Sequence, residues 1–306
     1  MKILLVHGGA GRITGDQGPR LRELAEACRY GFEHDDPIDM VVEAVAYMED
    51  TGLFNAGLGS ALNLQGEREM DAGVMASNRK PGAVAAVRYP RNPVRLARIV
   101  MEETDHIIIA GSGADTLAKR LGLEEAQPPP QHILERYKTL LEEYRRGAQQ
   151  YYQGNRGIIE KAGLLDTVGA AALHDGDLAA ATSTGGVWLK LPGRVGDTPI
   201  PGAGFLATPR MAGSSTGLGE AIIMAQPLYR LDHLLSKGYK LHEALEELSS
   251  QLPDEAGNAI GLIVVTRRGE AYAYYNTQAM LTGWCTRQGA KALLLKHPSR
   301  DIVRLT

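Results

Sequence analysis

Residues 166–186 place two apolar runs on either side of a polar turn. Asp166-Thr-Val-Gly-Ala-Ala-Ala-Leu173 leads into His174-Asp-Gly-Asp177, and Leu178-Ala-Ala-Ala-Thr-Ser-Thr-Gly-Gly186 follows. Short apolar runs around an Asp-Gly turn predict an antiparallel β-hairpin. Such pairing brings the outer strand ends together. Thr167, opening the first strand, is therefore expected beside Thr184, closing the second. Thr is common in strands, where its usual role is packing. Two neighbours give this pair more weight. A polar, helix-like segment precedes Thr167 and could act as a removable cap, and a glycine-rich loop after Thr184 carries Arg194 and Asp197.

Elsewhere the pattern alternates between strands and helices. Lys2–Val6 is an apolar run stopped by glycines, read as a buried strand. Leu21, Leu24, Ala25 and Cys28 recur at helical spacing, predicting a helix over about residues 18–32. A second helix starts with Asp36 as cap and Pro37 in its first turn, and ends near Gly52. Glu69–Met75 and Gly82–Val87 read as strands, Asn92–Glu103 as a helix, and His106–Ala110 as a buried strand leading to a helix through Leu121. Gly111-Ser-Gly113 invites a nucleotide-loop reading, but Thr116 stands where a dinucleotide loop needs its third glycine. Pro128-Pro-Pro130 breaks the chain, and Ile133 to Tyr144 forms a helix. Residues 125–166 as a whole are expected to be an exposed linker. Further on, Ala203–Ala207 reads as a strand, Gly213–Gly219 as a tight turn before a helix near Glu220, and Leu241–Leu248 as a helix. Ala259–Thr266 and Glu270–Asn276 form a hairpin, and Ala290–Leu295 is the last strand. Strands in hairpins, with helices in separate runs, predict an α+β fold.

A net charge of −3 gives no reason to expect a nucleic acid or an anionic membrane as partner. No stretch approaches a membrane span, and Met1–His7 is too short for a signal peptide, so the expected location is cytoplasmic. Cys28 and Cys285 have neither metal-ligand spacing nor a disulfide framework and are read as separate thiols. The chain lacks Gly-x-Ser-x-Gly, His-Glu-x-x-His and clustered His/Cys ligands. His7 and His174, at a strand end and in a turn, are read as structural.

Several runs, in order, resemble one family. They are His7-Gly-Gly-Ala-Gly11, Leu53-Phe-Asn-Ala-Gly-Leu-Gly59, Met70-Asp-Ala72, Arg91-Asn-Pro-Val94, Asp166–Gly169 with Thr182–Gly186, Leu191-Pro-Gly-Arg-Val-Gly-Asp197 and Thr216-Gly-Leu-Gly-Glu220. Together they resemble the plant-type asparaginases, or isoaspartyl peptidases, of the N-terminal-nucleophile hydrolases. The resemblance implies a four-layer αββα sandwich in one domain over residues 1–306. It implies cleavage between Asp166 and Thr167 into an α-chain, 1–166, and a β-chain, 167–306. It makes Thr167 the nucleophile, supported by Thr184, with Thr216 and Gly217 as the oxyanion site. Arg194 and Asp197 would hold the head of the substrate, with Gly217 and Gly219 close by and Asn55 in support. Leu53, Phe54 and Asn55 fall in a loop that would hold a structural sodium through backbone carbonyls, with no cofactor for catalysis. The family also suggests a homodimer of αβ units.

The chemistry fits those residue types. A threonine hydroxyl is a weak nucleophile and needs a base. A freed α-amino group, with an ordinary pKa of about 7.7–8.0, can serve. Arg194 would pair with an α-carboxylate and Asp197 with an α-ammonium, which suits a free amino-acid end. The substrates implied are L-asparagine and β-aspartyl dipeptides. Asp166 stands where plant-type members usually have Gly, a feature shared with the glycosylasparaginases, while Glu220 looks plant-type. Leu218 and Asn276-Thr-Gln-Ala-Met280 also depart from the usual pattern. A glycosylasparaginase, or an uncleaved ligand-binding relative, are the alternatives.

Overall fold

The computed structural model describes residues 1–13, 15–147, 167–252, 259–296 and 301–306. The predicted hairpin is present. β5 (Val168–His174) pairs with β6 (Asp177–Thr184) in unbroken register from Val168 opposite Ser183 to His174 opposite Asp177. Its turn residues, Asp175 and Gly176, both have positive φ, +50° and +92°. Two left-handed residues match the right-handed twist of the strands they join.

This hairpin lies inside an eight-stranded sheet of order β12-β11-β1-β5-β6-β2-β3-β4. The other members are β1 (Lys2–Gly11), β2 (Met70–Ala76), β3 (Gly82–Val87), β4 (Ile108–Ala110), β11 (Ala279–Thr286) and β12 (Gly289–Lys296). A second sheet has order β13-β10-β9-β8-β7. It comprises β7 (Phe205–Ala207), β8 (Met211–Gly217), β9 (Ile260–Thr266), β10 (Ala271–Tyr275) and β13 (Asp301–Arg304).

Alternation along the strands explains how the core divides. On β1, Leu4 and Val6 face a cluster that includes Leu24, Val41, Val45 and Leu96 from helices α1 (Gly18–Phe32), α2 (Pro37–Asp50) and α3 (Pro93–Glu103). Ile3 and Leu5 face the other way and pack with Phe205, Ile263, Val265 and Ala273 of the second sheet. Behind that sheet, Leu262 and Val264 meet Leu228, Leu231, Leu241 and Leu245. These come from α7 (Pro227–Ser236) and α8 (Leu241–Gln251), which follow the short α6 (Gly219–Ala225). Each sheet therefore buries one face against the other sheet and one against helices. Asp36 caps α2 as expected, its side chain accepting from the Ile38 amide at 2.7 Å.

Some expectations are corrected. The run Gly213–Gly219 is not a turn. Residues 213–217 complete β8, whose every residue is buried between neighbours β7 and β9. β4 is short and its Ile108 is 45% exposed, because only β3 pairs with it at the sheet edge. β1 continues through the glycines to Gly11, with a register shift between His7 and Ala10. Ala290–Leu295 lies in β12, but β13 follows it. Helix α4 (Gly111–Arg120) begins at Gly111, directly after β4. The expected linker contains a docked helix, α5 (Gln131–Gly147), whose Leu140 is buried against Leu189 and flanked by Tyr137 and Trp188. Residues 148–166, with Asp166, lie outside the described residues. As expected, Cys28 and Cys285 are separate free thiols, both buried, and the Cys28 Sγ donates to the Leu4 carbonyl at 3.5 Å. Among the described residues no helix is long and apolar enough to cross a membrane.

Candidate active site

Thr167 sits just before β5 and Thr184 ends β6, and the Thr167 hydroxyl donates to the Thr184 hydroxyl oxygen at 3.2 Å. Both are almost fully buried, at 6% and 3% exposure. The Thr184 oxygen also accepts from the Gly186 amide at 3.0 Å, which fixes it as an acceptor for that turn. Beside Thr167 lies His7. Burial lowers its pKa to about 3, against a backbone hydrogen bond with Thr167 that pulls the other way. The imidazole is therefore neutral at physiological pH, and its Nε2 lies 2.9 Å from the Ser214 hydroxyl across the two sheets. Gly169 makes this contact feasible, since a Cβ there would lie 2.0 Å from Ser214 Oγ and 2.4 Å from His7 Nε2.

A narrow cleft over Thr167 is lined by Asn55, Thr184, Arg194, Asp197, Gly217 and Gly219, among others. Asn55 clamps the loop at its rim. Its amide donates to the Gly186 carbonyl at 2.6 Å and its carbonyl oxygen accepts from the Ala61 amide at 2.7 Å. Gly217 has φ +137°, a region that favours glycine, and a Cβ there would meet the Ala259 carbonyl oxygen at 2.1 Å. Thr216, on β8, is fully buried one residue behind this wall and is not among the described lining residues.

Arg194 and Asp197 bring opposite charges to the same cleft. Arg194 donates from Nε and Nη2 to the two oxygens of Glu220 at 2.9 and 2.7 Å, a bidentate pair. Its Nη1 makes no hydrogen bond among the described residues and lies 2.9 Å from a Cβ position at Gly196. Asp197 is 4% exposed, and its Oδ2 has no hydrogen-bond partner among the described residues. Burial raises its pKa to about 7. The Arg194 charge opposes that shift, and the Asp71 and Glu220 carboxylates add to it. An unpaired buried carboxyl oxygen and a guanidinium edge without a hydrogen bond among the described residues thus line the same cleft.

The predicted residues Asn55, Thr167, Thr184, Arg194, Asp197, Gly217 and Gly219 thus converge from separate stretches of chain. Leu53, by contrast, is 40% exposed outside the cleft, and Phe54 is buried in the core. Residues the sequence reading did not single out are Gly186, Val187 and Gly196 in the wall and Ser214 against His7. Glu220 was noted only as a marker of kinship, although a carboxylate placed after two glycines at a helix start is a reasonable partner for a loop arginine.

With this geometry in view, comparison with known proteins is informative. A family model described as "Asparaginase" matches residues 1–295. A plant-type L-asparaginase of Pyrobaculum calidifontis is 46% identical over 298 residues, covering 93% of this chain and 97% of that protein. An isoaspartyl peptidase of Escherichia coli is 39% identical, covering 92% of each chain. An isoaspartyl peptidase/L-asparaginase of Danio rerio is 36% identical, covering 95% of this chain and 94% of the relative. The chain belongs to the asparaginase family that these proteins share.

Proposed function

We propose that this protein is an amidohydrolase that matures by cutting its own chain before Thr167 and then hydrolyses L-asparagine, β-aspartyl dipeptides, or both. The observation that carries the reading is the Thr167 and Thr184 hydroxyl pair facing Arg194 and Asp197 in one small cleft. The names of the relatives support the same substrates. Two sheets face to face with helices outside support the four-layer αββα sandwich of the N-terminal-nucleophile hydrolases.

In this reading the Thr167 hydroxyl attacks the carbonyl of residue 166, the acyl group moves from nitrogen to oxygen, and water releases the ester. The freed α-amine then serves as base for the same hydroxyl. Arg194 Nη1 takes the substrate α-carboxylate and Asp197 the α-ammonium. Thr167 attacks the side-chain carbonyl, ammonia or an amino acid leaves, and water hydrolyses the β-aspartyl enzyme. Donors at Thr216 and Gly217 stabilise the oxyanion, an arrangement whose loss typically costs about a hundredfold or more in rate. Thr184 holds the nucleophile, and Asn55 holds the rim.

A structural sodium held by backbone carbonyls of the loop at Leu53, Phe54 and Asn55 belongs to the same reading, since such a cation takes oxygen ligands and needs no special side chains. Assembly as a homodimer of αβ units and a cytoplasmic location complete the proposal.

Intact mass of freshly purified protein under denaturing conditions tests it. Two fragments, the smaller beginning at Thr167, are expected, together with ammonia release from L-asparagine or cleavage of β-aspartyl dipeptides. Thr167→Ala should give one uncut, inactive 33.0 kDa chain. An uncut but active Thr167→Ala protein would sink the mechanism, and turnover of a glycosylated asparagine alone would move the reading to the glycosylasparaginases.

A further inference from the structure

Residues 185–200, which carry Arg194 and Asp197, form no helix or strand. A segment without a ladder of its own depends on bonds to its neighbours for a fixed shape. Two of those bonds come from one buried residue, Glu69, which stands directly before β2. Its Oε2 accepts from the Gly193 amide at 2.9 Å, and its main-chain carbonyl accepts from Lys190 Nζ at 2.9 Å. Its other carboxylate oxygen, Oε1, accepts from Arg88 Nη2 at 2.7 Å. Each carboxylate oxygen therefore has a donor, which offsets the cost of burying the charge. Burial pushes the Glu69 pKa up, but the hydrogen bonds from Arg88 and the Gly193 amide outweigh it and hold the group below the ordinary carboxylate value.

The two anchored points differ in kind. Lys190 is buried, and a Cβ on Gly186, in the cleft wall, would lie 3.0 Å from its Nζ. Gly193 is exposed, has φ +82°, and a Cβ on it would meet nothing within 4 Å. An exposed glycine with no packing around it has wide backbone freedom unless a bond restrains it. Glu69 supplies that bond one residue before Arg194. At the other end of the same side chain, Glu220 holds the guanidinium. Glu69 also lies two residues before Asp71, which faces Thr184 across the β2–β6 pairing. The strand beside the nucleophile pair and the loop of the clamp thus share one anchor.

We propose that Glu69 is a positioning residue for the head-group clamp: by holding the Gly193 amide and the Lys190 ammonium, it sets Arg194 Nη1 towards the α-carboxylate of an incoming ligand. It acts through Arg194, on ligands with a free α-amino-acid head. The inference rests on reading Arg194 and Asp197 as that clamp. Outer partners of ligating groups around metals typically contribute about 10- to 100-fold, and the same logic applies to a clamp of charged side chains.

The test compares L-aspartate with β-alanine, which lacks the α-carboxylate, as inhibitors of L-asparagine hydrolysis, and records KM and kcat. Glu69→Ala removes the bond to Gly193. Glu69→Asp keeps the charge but is one methylene too short to reach. Glu69→Gln keeps an acceptor for Gly193 without the charge. Glu69→Ala and Glu69→Asp should each weaken L-aspartate and raise KM about tenfold, with β-alanine and kcat within about threefold of wild type, the pattern of lost uniform binding. Glu69→Gln should recover most of the affinity, which loss of the Arg88 ion pair alone would not allow. In the wild type, the Gly193 amide should be protected from hydrogen exchange despite its exposure, a readout that needs no variant to fold. Wild-type affinity for L-aspartate in folded Glu69→Ala or Glu69→Asp, an equal loss for β-alanine, Glu69→Gln no better than Glu69→Ala, or a freely exchanging Gly193 amide overturns the proposal. L-Aspartate affinity left unchanged by Arg194→Ala overturns the clamp reading itself, and this inference with it.

Discussion

In the proposed clamp, the state of one carboxyl group governs how the cleft responds to pH. Asp197 can hold an α-ammonium only as a carboxylate, and in the empty cleft its pKa is about 7. Affinity for a zwitterionic head should therefore fall as pH drops through 7. The same shift acts on stability with the opposite sense. The folded chain keeps this proton to a higher pH than the unfolded chain, so this group's contribution to stability declines between the ordinary carboxylate range and about 7. KM for L-asparagine measured from acid to neutral pH should drop with an apparent pKa near 7. Since Glu220 is one of the charges that raise Asp197, Glu220→Gln should move that limb to lower pH. It also breaks the bidentate hold on Arg194, so the KM plateau should rise at the same time. An unmoved limb would remove Asp197 from ligand binding. At this scale the sequence was informative where residues carry their own chemistry. Thr167, Thr184, Arg194 and Asp197 drew weight from hairpin and loop placement only in company with the motifs that resemble the asparaginase family. Ser214 could not be singled out, because what matters about it is its contact with His7, and that depends on strands more than two hundred residues apart.

Local pattern and three-dimensional packing disagree most where strands are made of small residues. Gly213-Ser-Ser-Thr-Gly217 has turn composition, yet it lies in the second sheet because that sheet approaches β1 and β5 closely. Only small side chains fit there, and composition alone cannot tell a close sheet contact from a turn. β11 escaped notice because the segment around Asn276–Met280 drew attention as a motif rather than as the approach to a strand that pairs with β1. The hairpin β5–β6 was legible because its turn is local and its strands alternate without interruption. The close sheet contact gives a stability prediction. A Cβ on Gly73 in β2 would lie 2.1 Å from Phe205 Cε1, between the sheets. Gly73→Ala should destabilise by about 1–3 kcal/mol, as overpacking does. On the outer surface, a Cβ on Gly113 in helix α4 would meet nothing within 4 Å. Gly113→Ala should stabilise by about 0.5–1 kcal/mol, the gain in helix propensity. Urea unfolding of the two variants reads the contrast. Equal midpoints would mean that the two sheets can separate enough to admit a methyl group without cost.

The sheet order determines what a cut between residues 147 and 167 can do. Across the eight strands, β12 and β11 come from the later part of the chain, β1 from the earlier, β5 and β6 from the later, and β2, β3 and β4 from the earlier. β1 is held on both edges by later strands, through Leu4 opposite Cys285 on one side and Ala172 on the other. β2 is likewise paired to β6 from Asp71 opposite Thr184 to Ala76 opposite Ala179. The first residue is tied down as well: the Met1 amino group meets Asp175 at 3.3 Å in the turn of the β5–β6 hairpin. Neither part can leave without exposing three open strand edges and apolar faces of the sheets, a loss comparable to unfolding. A chain cut in this interval, by itself or by a protease, should therefore elute as one particle under native conditions and separate only in denaturant. Heating should give one transition, coincident by far-ultraviolet circular dichroism and by tryptophan fluorescence. Once separated, the early part should not refold alone, because β1 would lack both neighbours and β2 one of its two. Fragments that elute apart without denaturant, or that melt in two steps, would contradict this interleaving. A single transition would mean that cleavage at Thr167 frees an amine while leaving the cleft walls in place.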